Sequence, residues 1–338
     1  MGDAEKVTIA VDALGGDNAP SVVLEGVEQA LAADADLDVI LCGPADVVEP
    51  FAKTHERCVA RATTQEITMG EHPANAVRKK KDSSIVVGCR LVKEGQAVGF
   101  FSAGSTGACL AAATLVMGRI RGISRPALAT VIPVPDAPVV LCDVGANADC
   151  KPEYLVQFAQ MASVYAEKVI GIKDPKVGLL NIGEEETKGS MFAQETHALL
   201  KEKVANFIGN AEGRDVTAGT FDVIVTDGFT GNVALKTLEG TAKMLFGQLK
   251  GVMMTNLATK LGALAMKGGL KDLKSKVDPD VFGGAPLLGV KGACIVGHGS
   301  SNARAIKNGV LTTATIARAH VSEIIAQTQE EEQKRNDE

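Results

Sequence analysis

Three short loops hold most of the hydroxyl, amide and imidazole groups that chemistry would need. Ser102, Gly104, Ser105 and Thr106 follow the apolar run VGFF. Asp227, Gly228 and Asn232 follow DVIV, and His298, Ser300, Ser301 and Asn302 follow ACIV. After each loop a helix-like stretch begins at once. The start of a helix offers N–H groups with no intrahelical partner, and these favour anions. Neutral donors grouped in this way suit a phosphate, or an oxyanion that forms during reaction. Each apolar run is short and β-prone, so each reads as a buried strand. Loops at the carboxyl edge of a parallel sheet converge on one crevice. The expectation is an α/β protein that binds phosphate or a phosphorylated ligand.

Other strand ends extend the set. They are Asp12 with Gly15, Gly16 and Asp17; Asp143 with Asn147, Asp149 and Lys151; and Asn181 with Glu184. Simpler readings stand beside these: Asp12 and Asp17 as helix caps, His298 as a hydrogen-bonded core histidine, Lys151 as a surface lysine at a helix start. No loop has the Gly-Lys-Ser/Thr of a Walker motif. Gly297, Gly299 and Asn302 only approach GxGxxG, close to the end of the chain. Neither a nucleophile elbow nor a carboxylate cluster with metal spacing is present. Such donors fit transfer to or from phosphate without a covalent intermediate, and residue chemistry alone goes no further.

Composition narrows the class. A net charge of -6 argues against a general nucleic-acid binder. Seven cysteines, scattered and without a CxxC pair, read as reduced thiols of a cytosolic protein. The five histidines are dispersed too, with no zinc spacing. No basic, apolar signal segment opens the chain, and the apolar stretch from Ala108 to Met117 is too short to span a bilayer.

Strands and helices alternate along the chain. Expected strands are Val7 to Asp12, Val39 to Cys42, Ala129 to Val134, Val139 to Asp143 and Val177 to Ile182. The third and fourth pair across a Pro-Asp-Ala-Pro turn. Ile85 to Lys93 and Pro152 to Glu167 read as helices, the latter opened by its proline. Residues 45–70 fit a helix and a short strand. The pattern predicts a doubly wound, mainly parallel sheet in one domain spanning residues 1–328, followed by a charged, frayed tail over 329–338.

Lys243 to Lys276 breaks the alternation. Leu245, Leu249, Leu257, Leu261 and Leu264 recur at helical spacing among seven lysines, Lys260 and Lys267 included, against Asp272 alone. A basic helical hairpin on an acidic protein points to an acidic partner or an anionic membrane surface. The plainer alternative is a dimerisation pair with its lysines in solvent.

The strings VDALGGDNAP, GEHPANAVRKKKDSS, SAGSTGA, GRIRGISRPAL, DVGANADCKPEYLVQFA, LLNIGEEETKG, VTDGFTGNVALKTLEG and FGGAPLLGVKG…GHGSS run in order from about Ala10 to about Asn308. Together they resemble the bacterial acyl-acyl-carrier-protein:phosphate acyltransferases of phospholipid synthesis. The resemblance implies a three-layer α/β/α fold of the phosphotransacetylase and isocitrate dehydrogenase type, usually a homodimer. It implies transfer of a long-chain acyl group from acyl-carrier protein to inorganic phosphate, with no metal or other cofactor. The acyl phosphate would then feed the membrane glycerol-3-phosphate acyltransferase. A cytoplasmic protein held peripherally on the inner face of the cell membrane would fit that role.

On this reading Asn232 serves the oxyanion, and Lys151 and His298 serve the departing thiolate. The phosphate cradle is Ser102, Gly104, Ser105 and Thr106. Asp12, Gly15, Gly16, Asp17, Asn147, Asn181, Asp227, Gly228, Ser300 and Ser301 complete the site. Leu257, Lys260, Leu261, Leu264 and Lys267 would contact the membrane or carrier protein. The rivals are a phosphotransacetylase-like enzyme using acyl-coenzyme A, an NAD-dependent dehydrogenase and a non-catalytic scaffold.

Overall fold

The computed structural model describes residues 5–134, 137–276 and 279–337. Pro135 and Asp136 of the expected turn lie outside them, as do the side chains of Asp272, Lys274 and Lys276.

Among the described residues, eleven strands form one sheet. In chain order they are β1 Val7–Asp12, β2 Leu37–Gly43, β3 Cys58–Ala62, β4 Gly99–Ser102, β5 Ala127–Ile132, β6 Val139–Cys142, β7 Val177–Leu180, β8 Phe207–Ala211, β9 Val223–Val225, β10 Ala285–Leu288 and β11 Ala293–Val296. Across the sheet the order is β3-β2-β1-β4-β11-β10-β5-β6-β9-β7-β8. The helices are α1 Ser21–Ala33, α2 Ala45–Thr54, α3 Pro73–Lys79, α4 Ser84–Lys93, α5 Thr106–Ala112, α6 Pro152–Tyr165, α7 Met191–Lys203, α8 Gly228–Met253, α9 Leu257–Ala265, α10 Lys267–Lys276, α11 Ala303–Arg318 and α12 Val321–Asp337.

Alternating side chains feed apolar layers on both faces of the sheet. Ile9, Val11 and Phe101 join one layer; Ala10 and Phe100 join the other. Each fully buried phenylalanine contributes roughly 1.5–3 kcal/mol of transfer free energy. With both faces covered, the strands read as unbroken apolar runs, which is why they were visible in the sequence.

The sheet is mainly parallel, with three antiparallel pairings at its middle. Strands β1, β2, β3, β4 and β11 run together. Strand β10 is antiparallel to both β11 and β5, and β5 is antiparallel to β6. The second parallel block, β6-β9-β7-β8, therefore points the other way. This corrects the picture of three loops on one carboxyl edge. The loops after β4 and β11 share an edge, whereas the loop after β9 belongs to the opposed block.

Two further expectations change. The tail is not frayed: α12 carries the chain as helix from Val321 through Asp337. It is pinned by Gln329, which donates to Gln160 (2.9 Å) and accepts from Gln157 (3.1 Å). The helical segment, or arm, is also longer than Lys243 to Lys276. Its first helix, α8, begins at Gly228 and extends 26 residues, about 39 Å at 1.5 Å per residue. Leu245, Leu249, Leu257, Leu261 and Leu264 are all exposed along the arm. An added Cβ at Gly240, Gly247, Gly251 or Gly262 would meet nothing within 4 Å. No helix among the described residues is long and apolar enough to cross a membrane.

Candidate active site

Local folding sets each loop. Ser105 caps α5, its Oγ accepting from Ala108 N–H (3.4 Å). Asp227 caps α8, accepting from Thr230 N–H (2.9 Å) and Thr230 Oγ (2.7 Å). Asn302 caps α11 through Ala305 N–H (3.0 Å). A cap satisfies one orphan amide and leaves the other first-turn amides for a ligand.

The three loops meet at one cavity of about 370 Å³. Thr106, at the first turn of α5, lines it from the β4 side, and His298, Ser300 and Ser301 line it after β11. From the opposed block, the early turns of α8 bring Asn232, Leu235, Lys236 and Glu239. Strand β5 contributes Leu128, Thr130 and Val131 between them. Convergence is thus achieved by a helix reaching across the reversal in the sheet.

The histidine has a defined tautomer. Ser300 N–H donates to His298 Nδ1 (3.2 Å), and Ser300 Oγ lies 2.8 Å from the same nitrogen. In the neutral ring Nδ1 is therefore the acceptor, and Nε2 carries the proton as a donor. Lys236 Nζ is paired with Glu239 Oε2 at 2.7 Å.

The surrounding sequence is shared with known proteins. A fatty acid synthesis protein family model matches residues 7–324. A phosphate acyltransferase of Desulfitobacterium hafniense (strain Y51) is 52% identical over 306 residues, covering 89% of this chain and 91% of the relative. One from Clostridium perfringens (strain SM101 / Type A) is 47% identical over 328 residues, covering 96% of each. The chain belongs to the phosphate acyltransferase family. Among solved structures, a phosphotransacetylase from Staphylococcus aureus aligns with TM-score 0.58 at 18% identity, covering 93% of this chain and 94% of that one. A branched-chain phosphotransacylase from Enterococcus faecalis V583 aligns with TM-score 0.59 at 16% identity, covering 92% and 99%. At such identities the likeness is one of fold, and it is the fold type expected from the sequence.

Within this member of the phosphate acyltransferase family, the residues singled out in the sequence separate into two groups. Thr106, Asn232, His298, Ser300 and Ser301 line the cavity. The others stand behind them. Ser102 is fully buried; its Oγ donates to Asp12 Oδ2 (2.7 Å) and accepts from Gly104 N–H (3.0 Å). Burial pushes the Asp12 carboxyl above its ordinary value, against the pull of hydrogen bonds from Ser84, Ser102 and Leu14 N–H. Gly15 must be glycine: a Cβ there would sit 2.8 Å from Ala103 N and 2.9 Å from Gly104 N. Gly16 packs on Gly299, whose carbonyl accepts from Asp17 N–H (2.7 Å). These contacts lock the loop after β1 onto the loops after β4 and β11, and the side chains of Asp12 and Ser102 spend their polar atoms in doing so.

A parallel arrangement supports Asn232. Asp143 is buried and accepts five hydrogen bonds. Oδ1 takes Leu128, Gly145 and Ala146 N–H at 3.0–3.1 Å, and Oδ2 takes the N–H and Nδ2 of Asn147 at 2.7 and 2.8 Å. Burial holds its carboxyl above the ordinary value, against the pull of these donors. Gly228 N–H donates to Asn147 O (2.7 Å), and a Cβ on Gly231 would fall 1.9 Å from Asp143 O. Asn232 stands over Gly145. Asn147 and Gly228 therefore place α8, as does the cap Asp227.

Two predicted residues are not brought in. Asn181 spends its side chain on Ile182 N–H and Lys188 O of its own loop, and does not line the cavity. Lys151 is exposed before α6 and is likewise not among the lining residues. Lys236 is the cavity cation that sequence reasoning missed. Its signal was its place one helical turn after Asn232, on the same face. Among the described residues, no group of three or more His, Cys, Asp or Glu is placed to hold a metal.

Proposed function

We propose that this enzyme moves a fatty acyl group from acyl-carrier protein to inorganic phosphate, giving an acyl phosphate and the free carrier thiol. The observation that carries the reading is the meeting of Thr106, Asn232, His298, Ser300 and Ser301 on one cavity between opposed halves of the sheet. Thr106, Ser300, Ser301 and the open amides of α5 hold the phosphate dianion. One of its oxygens attacks the thioester carbon, and the carbonyl electrons move onto oxygen, where Asn232 donates. Collapse breaks the C–S bond. The Nε2–H of His298 steadies the charge on sulfur, and the hydrogen of the phosphate ends on the thiol, so the balance closes without an external acid. Positioning supplies much of the rate, because phosphate is already anionic at neutral pH.

No acyl-enzyme is needed. Six of the seven cysteines are buried, and burial pushes the half-buried Cys150 thiol up to about 11. A thiol so raised is a poor nucleophile at neutral pH. The test is incubation with labelled acyl-carrier protein. Without phosphate the enzyme stays unlabelled by mass spectrometry; with phosphate, acyl phosphate accumulates and is trapped by hydroxylamine. A stoichiometric adduct on Cys150 or Ser301 would overturn direct transfer. The phosphotransacetylase-like fold favours one second reading, acyl-coenzyme A as donor, which predicts turnover of that thioester instead.

The arm supports the proposed location. Leu257, Leu261 and Leu264 are exposed on α9 with Lys260 and Lys267 nearby, a pattern that suits an anionic membrane surface. The exposed apolar positions of α8 suit a second copy of the chain. A peripheral cytoplasmic homodimer would hand its acyl phosphate to a membrane acyltransferase that uses glycerol 3-phosphate.

A further inference from the structure

The cavity lining carries two kinds of surface. Thr106, Asn232, His298, Ser300 and Ser301 are polar, whereas Leu128, Val131, Val144, Leu235 and Phe282 are apolar. Leu128 and Val144 are buried in one apolar layer, and Leu235 packs against that layer from α8 to form a wall beside Asn232. Asn232, Leu235, Lys236 and Glu239 are spaced by three, four and seven, so one face of α8 presents an amide, an apolar side chain and an ion pair in turn. An apolar wall adjoining a row of oxyanion donors matches a ligand whose reactive carbonyl is joined to a hydrocarbon.

We infer that this wall is the acyl subsite, and that Leu235 sets how the first carbons of the chain are held. The inference rests on the acyl-transfer reading above and deepens it. Volume limits the depth of the subsite. The cavity of about 370 Å³ also has to hold phosphate and the thioester, so only the first carbons of a long chain lie against the wall and the rest leaves the cavity. Each buried methylene is worth about fourfold in kcat/KM, the equivalent of ~0.8 kcal/mol. The wall therefore discriminates strongly among short acyl groups and weakly among long ones.

The experiment is a series of acyl-carrier-protein thioesters from acetyl to dodecanoyl, with wild type, Leu235→Ala and Leu235→Phe. Wild type is expected to gain about fourfold in kcat/KM per added methylene over the short members of the series, then level off. Leu235→Ala should lose about tenfold with hexanoyl and less than twofold with acetyl. Leu235→Phe should move the levelling point to shorter chains. Leu235 is half-buried on a capped helix, and equal thermal melting of the variants checks their folding. Equal losses at all chain lengths, or a wild type blind to chain length, would overturn the subsite while leaving acyl transfer in place. Failure to make acyl phosphate from any donor would remove the acyl-transfer reading, and the subsite with it.

Discussion

Asp143→Asn keeps the shape of a buried side chain and removes its charge. The asparagine oxygen can still accept from Leu128, Gly145 and Ala146 N–H. Its NH₂ then faces two donors, the N–H and Nδ2 of Asn147, that the carboxylate accepted at 2.7 and 2.8 Å. A hydrogen bond to a charged group is worth about 1.5–3 kcal/mol, so two lost bonds cost ~3–6 kcal/mol before the relief of burying a charge. A net loss of about 3 kcal/mol lowers Tm by roughly 5 °C or more at ~2 °C per kcal/mol. The kinetic effect follows from what rests on the loop. Gly231 packs on Asp143 O and Asn232 stands over Gly145, so a shifted loop moves Asn232, the proposed oxyanion donor. A displacement of about 1 Å can cost up to ~100-fold in rate. We expect kcat to fall tenfold or more, with the KM for phosphate within about twofold, because Thr106 and Ser300 sit on other loops. Calorimetry and a thiol-release assay read the two effects. An unchanged Tm would refute the hydrogen-bond argument. A lowered Tm with kcat within twofold of wild type would refute the positioning of Asn232.

Four shorter predictions accompany it. Thr106→Ala should raise the KM for phosphate about tenfold, as expected for one lost bond to a charged ligand. Ser105→Ala should instead cost about 1 kcal/mol of stability as a lost cap and leave that KM nearly unchanged; the reverse ranking in phosphate titrations would restore Ser105 to the cradle. For Asp12, burial raises the folded-state pKa above 3.8, so the native state holds its proton more tightly than the unfolded chain does. Its contribution to stability is fully present below 3.8 and is lost as pH rises through the raised value. Asp12→Asn should flatten that slope in denaturant midpoints measured across the acid range, and an unaltered slope would show that another group carries it. Finally, Leu257→Glu with Leu261→Glu should release the protein from anionic liposomes with soluble turnover nearly intact; continued sedimentation, or loss of a dimer, would make the arm a packing element.

Much of this was legible because the strands are short apolar runs ended by Gly, Ser and Asn. Phe100 and Phe101 serve opposite faces of one buried strand, and such doubly covered strands announce themselves. The roles of polar residues were harder to read. Ser102 and Asp12 have the composition of a binding loop, yet they satisfy each other inside the fold. Asp227 and Ser105 look like ligand donors and act as caps. Sequence records donors and acceptors, but it does not record which donor is already taken. The sheet reversal was hidden for a related reason, since β5 and β10 are apolar like their neighbours and direction leaves no mark on composition. Lys236 escaped notice because its importance depends on α8 crossing to the cavity, a fact of tertiary structure.

Helix α8 is the element through which these observations connect. Its start is fixed by Asp227, by Gly228 on Asn147 and by Gly231 on Asp143. Its second and third turns form a wall of the cavity, and its remainder stands clear of the body as the arm. A hydrogen-bonded helix transmits position along its length, so whatever holds the arm also holds the cavity wall. Under the proposed reading this has an energetic consequence. Burying Leu257, Leu261 and Leu264 in a partner or a lipid surface would return at most ~5–9 kcal/mol, less the cost of association. Only a part of that is needed to narrow the motion of a long lever whose base carries Asn232 and Leu235. Docking of the arm would then order the catalytic wall where the acyl phosphate is to be delivered. On that reading an acyl phosphate made at that surface would have the shortest path to its consumer, which would be a physical reason to carry Asn232 and the exposed arm on one helix.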